Sequence, residues 1–138
     1  MKNYKIHFAG STMFSVKILE SLIEAGEDVD LIISQPAKKS GRGLKLTQTP
    51  VTQFALNRKI KLLTPTKLDI NFLINQSKKN TILVVAAYGQ IISEEILQYY
   101  DQLCINVHTS ILPRWRGAAP IQRAIMEGDK NTGISLMK

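Results

Sequence analysis

Hydrophobic and polar positions along the first half of the chain follow the pattern of alternating strands and helices. Residues 4–9 and 29–34 are short runs rich in apolar and β-branched side chains, as is typical of strands buried on both faces of a sheet. Between them, apolar residues recur at the spacing of one helical face, at Phe14, Ile18, Leu22 and Ala25. A strand, a helix and a second strand in this order predict a parallel sheet with right-handed crossovers.

The alternation continues to the end of the chain. Further strands are predicted at 61–63, 81–86, 103–107 and 132–138, and helices at 50–57, 69–76 and 120–127, with one more after Ser93. Thr49 and Ser93 are suitable N-cap residues, and Pro50 suits the first position of a helix. We therefore predict one α/β domain, a Rossmann-like parallel sheet with flanking helices.

One segment, residues 35–49, interrupts this alternation. It contains Pro36, Gly41 and Gly43, few apolar residues and four basic ones, Lys38, Lys39, Arg42 and Lys45. A loop of about fifteen residues is long for a compact domain and is often functional. A solvated loop without a partner is the alternative to a functional role.

Composition and charge indicate the class of protein but do not identify its partner. The 138 residues are 44% hydrophobic and 21% charged, which indicates a globular domain. A net charge of +7 favours an anionic partner such as nucleic acid, a nucleotide or a membrane surface. A bias in nucleotide composition would give the same excess of lysine, so charge alone leaves the partner open.

Other features set expectations about location and chemistry. The single cysteine, Cys104, excludes an intrachain disulfide and is expected to be a small buried side chain. Without a leader or an apolar run of ~18 residues, we expect a cytoplasmic protein with no membrane association. His7, within the first strand, is expected to be a core or sheet-end histidine. No set of Cys, His, Asp and Glu has metal-ligand spacing, so no metal is expected.

The candidate chemistry lies at Asn106 and His108, two residues apart at the end of a predicted strand. Their side chains point to one side of the sheet, and ligands collect at the carboxyl ends of parallel strands. An amide can donate to a developing oxyanion and an imidazole can hold or release a proton, which are the two roles that acyl transfer to an amine requires. By themselves the two residues fit better with a polar strand end that carries a hydrogen-bonded histidine.

The residues that follow resemble a known family. Residues 106–113 are similar to the Asn-x-His and Ser-Leu-Leu-Pro signature of the folate-dependent formyltransferases. The continuation Arg-Trp-Arg-Gly-Ala-Ala-Pro-Ile-Gln at 114–122 resembles the methionyl-tRNA formyltransferase branch. Residues 8–10, 35–51 and 84–92 agree with the same family, so the resemblance covers essentially the whole chain.

The resemblance implies a donor, a substrate and roles for particular residues. The donor would be 10-formyltetrahydrofolate and the acceptor the amine of initiator methionyl-tRNA, bound by a cytoplasmic monomer. Asn106 and His108 would be catalytic. The folate would be bound by Ser110, Ile111, Leu112, Pro113, Tyr88, Gly89, Gln90 and Ile91, although packing at the strand end is an equal alternative for Tyr88. Contacts to tRNA would be made by Lys38, Lys39, Arg42, Lys45, Arg114 and Arg116, and Trp115 would stack or pack beside them.

The sequence also departs from the family pattern. The family's third catalytic residue is an aspartate beyond the Ile-Ser-Leu-Met strand, and this chain ends at Lys138, before that point. Asp129 precedes the strand and does not match that motif. We therefore expect residues 1–138 to be a formyltransferase N-terminal catalytic domain that is incomplete at its C-terminal end, without the family's C-terminal tRNA-binding barrel. An inactive remnant and a folate- or tRNA-binding module are the alternatives to an active enzyme.

Overall fold

The computed structural model of the protein describes residues 4–76 and 79–138, which form one main sheet with helices on both faces. The strands are β1 (Lys5–Gly10), β2 (Val29–Ile33), β3 (Lys38–Ser40), β4 (Lys45–Thr47), β5 (Leu62–Leu63), β6 (Thr81–Ala86), β7 (Cys104–His108) and β8 (Ser135–Met137). The helices are α1 (Met13–Glu24), α2 (Pro50–Arg58), α3 (Glu94–Tyr99) and α4 (Pro120–Met126), with a 3-10 turn at Ile70–Phe72. The main sheet has the order β5-β2-β1-β6-β7-β8. The predicted α/β fold is confirmed.

Each face of the sheet is covered by its own apolar cluster. On one face, Phe8 of β1 is fully buried in a cluster with Leu19 of α1 and Val51 of α2. On the other face, Leu83 of β6 is buried in a cluster with Ile96 of α3. Because neighbouring side chains of a strand point to opposite faces, these parallel strands are apolar at nearly every position.

Polar N-caps begin three of the helices. The side-chain oxygen of Thr12 accepts from the backbone of Ser15, that of Thr49 from Thr52, and that of Ser93 from Ile96. Such caps satisfy backbone donors that have no partner within the helix. The predicted caps Thr49 and Ser93, and Pro50 at the start of α2, are confirmed. None of the helices in residues 4–76 and 79–138 is long and apolar enough to cross a bilayer.

The last strand corrects the expectation of a fully parallel sheet. Strand β8 pairs with β7 in the antiparallel direction, with Ser135 opposite His108 and Met137 opposite Asn106. The Ser135 hydroxyl donates to the Ser110 carbonyl over 2.7 Å and accepts from the Leu112 amide over 3.1 Å. These bonds attach the start of β8 to the segment that follows the carboxyl end of β7. Strand β8 then runs along β7 in the opposite direction.

Two predicted segments take a different local structure. The segment 69–76 forms only a 3-10 turn at Ile70–Phe72, which Asp69 caps through its bond from the backbone amide of Asn71. The segment contains Asn71 and Asn75, and asparagine is a weak helix former. The segment 35–49, predicted as a loop, contains the antiparallel hairpin β3–β4, with Lys39 opposite Leu46. Gly41 and Gly43, at φ of 71° and 87°, supply the left-handed backbone that its turn requires.

His7 of β1 is a core residue, as expected from the sequence. Only 1% of its surface is exposed, and its Nδ1 lies 2.7 Å from the hydroxyl of Tyr100. Burial lowers the pKa of His7 from 6.5 to about 4, a shift that the carboxylate of Asp30 opposes and that Lys5 and Lys61 reinforce. The imidazole is therefore neutral in the folded protein at physiological pH.

Stability should fall as the pH drops from about 6.5 towards about 4, because the unfolded chain then binds a proton at His7 that the folded chain excludes. Between pH 7 and pH 5, this linkage should lower the free energy of unfolding by about 2 kcal/mol. Urea denaturation at the two pH values measures the change. The variant His7→Asn keeps a polar partner for Tyr100 but does not titrate. Its free energy of unfolding should therefore fall by about 2 kcal/mol less than that of the parent protein between pH 7 and pH 5. Equal slopes for the two proteins would contradict the assignment.

Candidate active site

The candidate catalytic pair lies at the carboxyl end of β7. In this strand Val107 is buried in the cluster beneath α1, so Asn106 and His108 point to the opposite face, and both are partly exposed. Asn106 lies opposite Val85 of β6, and its Nδ2 is 3.8 Å from the Sδ of Met137. The structure therefore brings the two predicted residues to one side of one strand end, as the sequence indicated.

The segment after β7 is attached to β8 and contains a buried hydroxyl. Ser110 is fully buried, and its carbonyl accepts from Ser135. Among the described residues, the Ser110 Oγ has no hydrogen-bond partner. Ile111 is 56% exposed, and Pro113 is exposed beside it. The exposed apolar side chains of this segment are available to an apolar ligand surface, whereas the Ser110 hydroxyl is enclosed.

A second turn, residues 87–91, follows the neighbouring strand β6. Tyr88 is only 1% exposed, and burial raises the pKa of its hydroxyl to about 12. Its side chain packs in the core cluster, and among the described residues its hydroxyl has no hydrogen-bond partner. Gln90 holds the segment before the 3-10 turn, because its Oε1 accepts from the Leu68 amide over 3.0 Å. Ile91 is 94% exposed and is available to a ligand.

A polar network fixes this turn to the ends of β1 and β2. The carbonyl of Tyr88 accepts from the Ser11 hydroxyl over 2.9 Å and from Nε2 of Gln35 over 2.8 Å. The ammonium of Lys38 binds Oε1 of the same Gln35. Gly89 has a φ of 84°, and a Cβ atom there would lie 2.2 Å from Nε2 of Gln35. The positive φ therefore favours glycine, and any other residue would also displace the Gln35 amide from the Tyr88 carbonyl.

His108 is tied to the segment that follows it. Its Nε2 lies 2.8 Å from the carbonyl oxygen of Trp115. The indole of Trp115 donates to Oδ2 of Asp129 over 2.6 Å, and the guanidinium of Arg114 binds both oxygens of the same carboxylate. Arg114, with Trp115 assisting, lowers the pKa of Asp129 to about 2. The sequence did not predict that Asp129 binds Arg114 and Trp115, because no local pattern links residues so far apart in the chain.

The six basic residues predicted to contact tRNA fall into two groups. Lys38, Lys39, Arg42 and Lys45 are exposed on the hairpin β3–β4, and Arg116 is exposed in the segment after β7. Arg114 differs from them: its charge is paired with Asp129 and its guanidinium lies 4.2 Å from the centre of the Trp115 ring. Arg114 thus combines an exposed side chain with a fixed ion pair, and its predicted contact with tRNA stays a prediction.

One cavity lies close to the candidate site. A cavity of about 320 Å³ lies between residues 111–115 and the side chains of Asp129, Asn131 and Thr132. Its walls do not include Asn106 or His108, so the candidate site is located by strand ends and side-chain chemistry rather than by the cavity. Within residues 4–76 and 79–138, no group of three His, Cys, Asp or Glu residues could hold a metal ion.

A sequence model of the formyl transferase family matches residues 4–138. The chain belongs to the formyl transferase family. It is similar to a methionyl-tRNA formyltransferase of Nitrosomonas eutropha, at 47% identity over 97% of this chain and 43% of that protein. A methionyl-tRNA formyltransferase of Buchnera aphidicola is also 47% identical, over 100% of this chain and 45% of that protein.

A solved structure shows that the fold is shared by formyl transferases of another branch. The crystal structure of glycinamide ribonucleotide transformylase 1 from Geobacillus kaustophilus matches with a TM-score of 0.74 at 18% identity. The match covers 98% of this chain and 73% of that protein. At this identity the likeness concerns the fold alone. The chain spans less than half the length of the two methionyl-tRNA formyltransferases.

The role of Gly89 can be tested by a double-mutant cycle. Gly89→Ala should destabilise the fold by about 2 kcal/mol, because it adds left-handed strain and displaces the Gln35 amide from the Tyr88 carbonyl. Gly26, with a similar φ of 74° and open space around it, is the matched control, and Gly26→Ala should cost only about 1 kcal/mol. In a Gln35→Ala background the two glycine variants should cost the same. A persistent difference there would show that the clash with Gln35 is not the cause.

Proposed function

We propose that this chain transfers a formyl group from 10-formyltetrahydrofolate to the amine of initiator methionyl-tRNA, in the service of translation initiation. The observation that carries the proposal is the pair Asn106 and His108 at the end of β7, in a member of the formyl transferase family. The likeness to methionyl-tRNA formyltransferases over the whole chain supports this acceptor rather than another amine.

The residues beside the pair have the chemistry that a folate requires. The exposed side chains of Ile111 and Ile91 can cover the pterin ring, and Ser110 lies enclosed beneath the first of these segments. Leu112 and Pro113 continue the first segment, and Gly89 and Gln90 present the backbone of the second. When bound, the folate supplies the formyl group. No metal is needed in this proposal.

Asn106 and His108 divide the chemistry of the transfer. A bond forms between the methionyl nitrogen and the formyl carbon, and the bond between that carbon and the folate nitrogen breaks. The Asn106 amide donates to the formyl oxygen as negative charge develops there. The proton lost by the methionyl amine ends on the folate nitrogen, so no net charge is left behind. His108 can carry that proton at Nδ1, because Nε2 donates to the Trp115 carbonyl.

The hairpin β3–β4 is the proposed contact with tRNA. Lys38, Lys39, Arg42 and Lys45 are exposed on it, and phosphates are the natural partners of such a cluster. Through Lys38 and Gln35 the base of the hairpin is bonded to Tyr88, which adjoins the proposed folate segment. Arg116 would add a positive charge near the pair.

A formyl-transfer assay with 10-formyltetrahydrofolate and initiator methionyl-tRNA tests the proposal. The protein should show turnover above the uncatalysed rate. His108→Ala should lower kcat about 100- to 10,000-fold, and Asn106→Ala about 100- to 1,000-fold. Arg42→Ala should chiefly raise KM for tRNA.

Lys17→Ala is the control for the loss of one positive charge. Lys17 is exposed on α1 and forms an ion pair with Glu20 of the same helix. This variant should keep the kcat and KM of the parent protein. If no turnover occurs, but folate binds saturably and binding is lost in His108→Ala or Pro113→Ala, the chain is a binding module and not an enzyme. Turnover that survives His108→Ala would refute the assigned chemistry.

A further inference from the structure

The carboxylate of Asp129 joins two side chains of the segment that follows β7. Its Oδ1 lies 2.7 Å from Nη2 of Arg114, and its Oδ2 lies 2.9 Å from Nε of Arg114 and 2.6 Å from Nε1 of Trp115. The guanidinium also lies over the indole, 4.2 Å from its centre. One carboxylate thus holds three donors, and the side chain of Asp129 is only 17% exposed as a result.

Trp115 would not hold its backbone conformation unaided. Its φ of 60° lies in the left-handed region, which is unfavourable for a bulky side chain by roughly 1–2 kcal/mol. The segment after it also includes Gly117 and Ala119 at positive φ, so the neighbouring backbone does not impose the conformation through a regular helix or strand. The bond from the indole to Asp129 is the contact that anchors the Trp115 side chain in place.

The backbone of Trp115 in turn determines the state of His108. The carbonyl oxygen of Trp115 lies 2.8 Å from Nε2 of His108. A carbonyl oxygen only accepts hydrogen bonds, so Nε2 carries a hydrogen, and in the neutral ring Nδ1 carries the lone pair. Moving this carbonyl away would leave both tautomers of the ring available and would free its orientation.

We propose that Asp129 is a positioning residue that fixes the Nε2–H tautomer of His108 through Arg114 and Trp115. Asp129 does not touch His108 and transfers no proton itself. It holds the Trp115 indole, the indole keeps the strained backbone of Trp115 in place, and the Trp115 carbonyl selects the tautomer. The importance of this tautomer for catalysis rests on the proposed function, but the tautomer itself does not.

Nitrogen-15 NMR of the histidine rings tests this proposal directly, because the chain has only two histidines, His7 and His108. Two-bond correlation spectra at alkaline pH, where free imidazoles are neutral, distinguish the two tautomers of each ring. In the parent protein His108 should give the pattern of a single Nε2–H tautomer. In Asp129→Asn and in Trp115→Phe, which removes the indole donor and keeps an aromatic ring, that single pattern should be lost.

Two controls separate a positioning role from a general loss of structure. Glu127→Gln removes one negative charge two residues away from Asp129, at an exposed side chain, and should leave the His108 pattern unchanged. The buried ring of His7 reports on the fold, so its signals should be the same in all variants. Loss of the single pattern in folded Asp129→Asn supports the proposal, and its loss in Trp115→Phe as well supports the route through the indole. Retention in Asp129→Asn, or an Nδ1–H tautomer in the parent protein, would overturn it.

The measurement uses no folate and no tRNA, so its result is independent of formyl transfer. If the tautomer depends on Asp129 and no turnover is observed, only the proposed function fails. If turnover is observed and the tautomer does not depend on Asp129, only this inference fails. If the protein is active and the tautomer depends on Asp129, Asp129→Asn should lower kcat with little change in KM for tRNA. The expected decrease is about 100-fold, the size of effect that displacing a catalytic group by about 1 Å can have.

Discussion

The parallel pairing of β7 with β6 is the constraint on which the rest of the site depends. Ala86 lies opposite Val107 and Val85 opposite Asn106, and Val107 is buried in the cluster beneath α1. Because strand side chains alternate, burial of Val107 on one face presents Asn106 and His108 on the other. A slip of one residue would bury both polar side chains and expose the valine, so the hydrophobic core itself enforces the register. The core and the candidate chemistry are thus determined by the same pairing.

Beyond the strand, polar contacts rather than apolar packing shape the site. The segment after β7 contains exposed side chains and strained backbone, and it is attached to the rest of the fold at a few points. Ser135 binds Ser110 and Leu112, Asp129 binds Arg114 and Trp115, and Trp115 binds His108. The core fixes the position at which the segment begins, and these hydrogen bonds fix the path of its backbone. Small changes at a polar contact far along the chain can therefore alter the geometry around His108.

The sequence predicted what is encoded by periodicity and local capping. Spacing within a few residues was enough to predict most strands and helices, the caps at Thr49 and Ser93, and the buried position of His7. It also placed Asn106 and His108 at a strand end. The antiparallel direction of β8 and the contacts of Asp129 do not follow from such spacing, because they join residues 14 to 31 positions apart with no repeating pattern between them. The hairpin at 35–49 was missed because its strands are three residues each and fully exposed, so no apolar alternation marks them. The assigned ligand roles remain predictions from the family resemblance.

In the proposed function, the ends of β6 and β7 form one folate site. Amide proton–nitrogen spectra of the protein, recorded during titration with tetrahydrofolate, test whether they do. Saturable shifts are expected at residues 88–91, at Asn106 and His108, and at residues 110–113, while the amides of the hairpin β3–β4 stay unchanged. Shifts confined to the hairpin, or no shift at saturating folate in a folded protein, would contradict it.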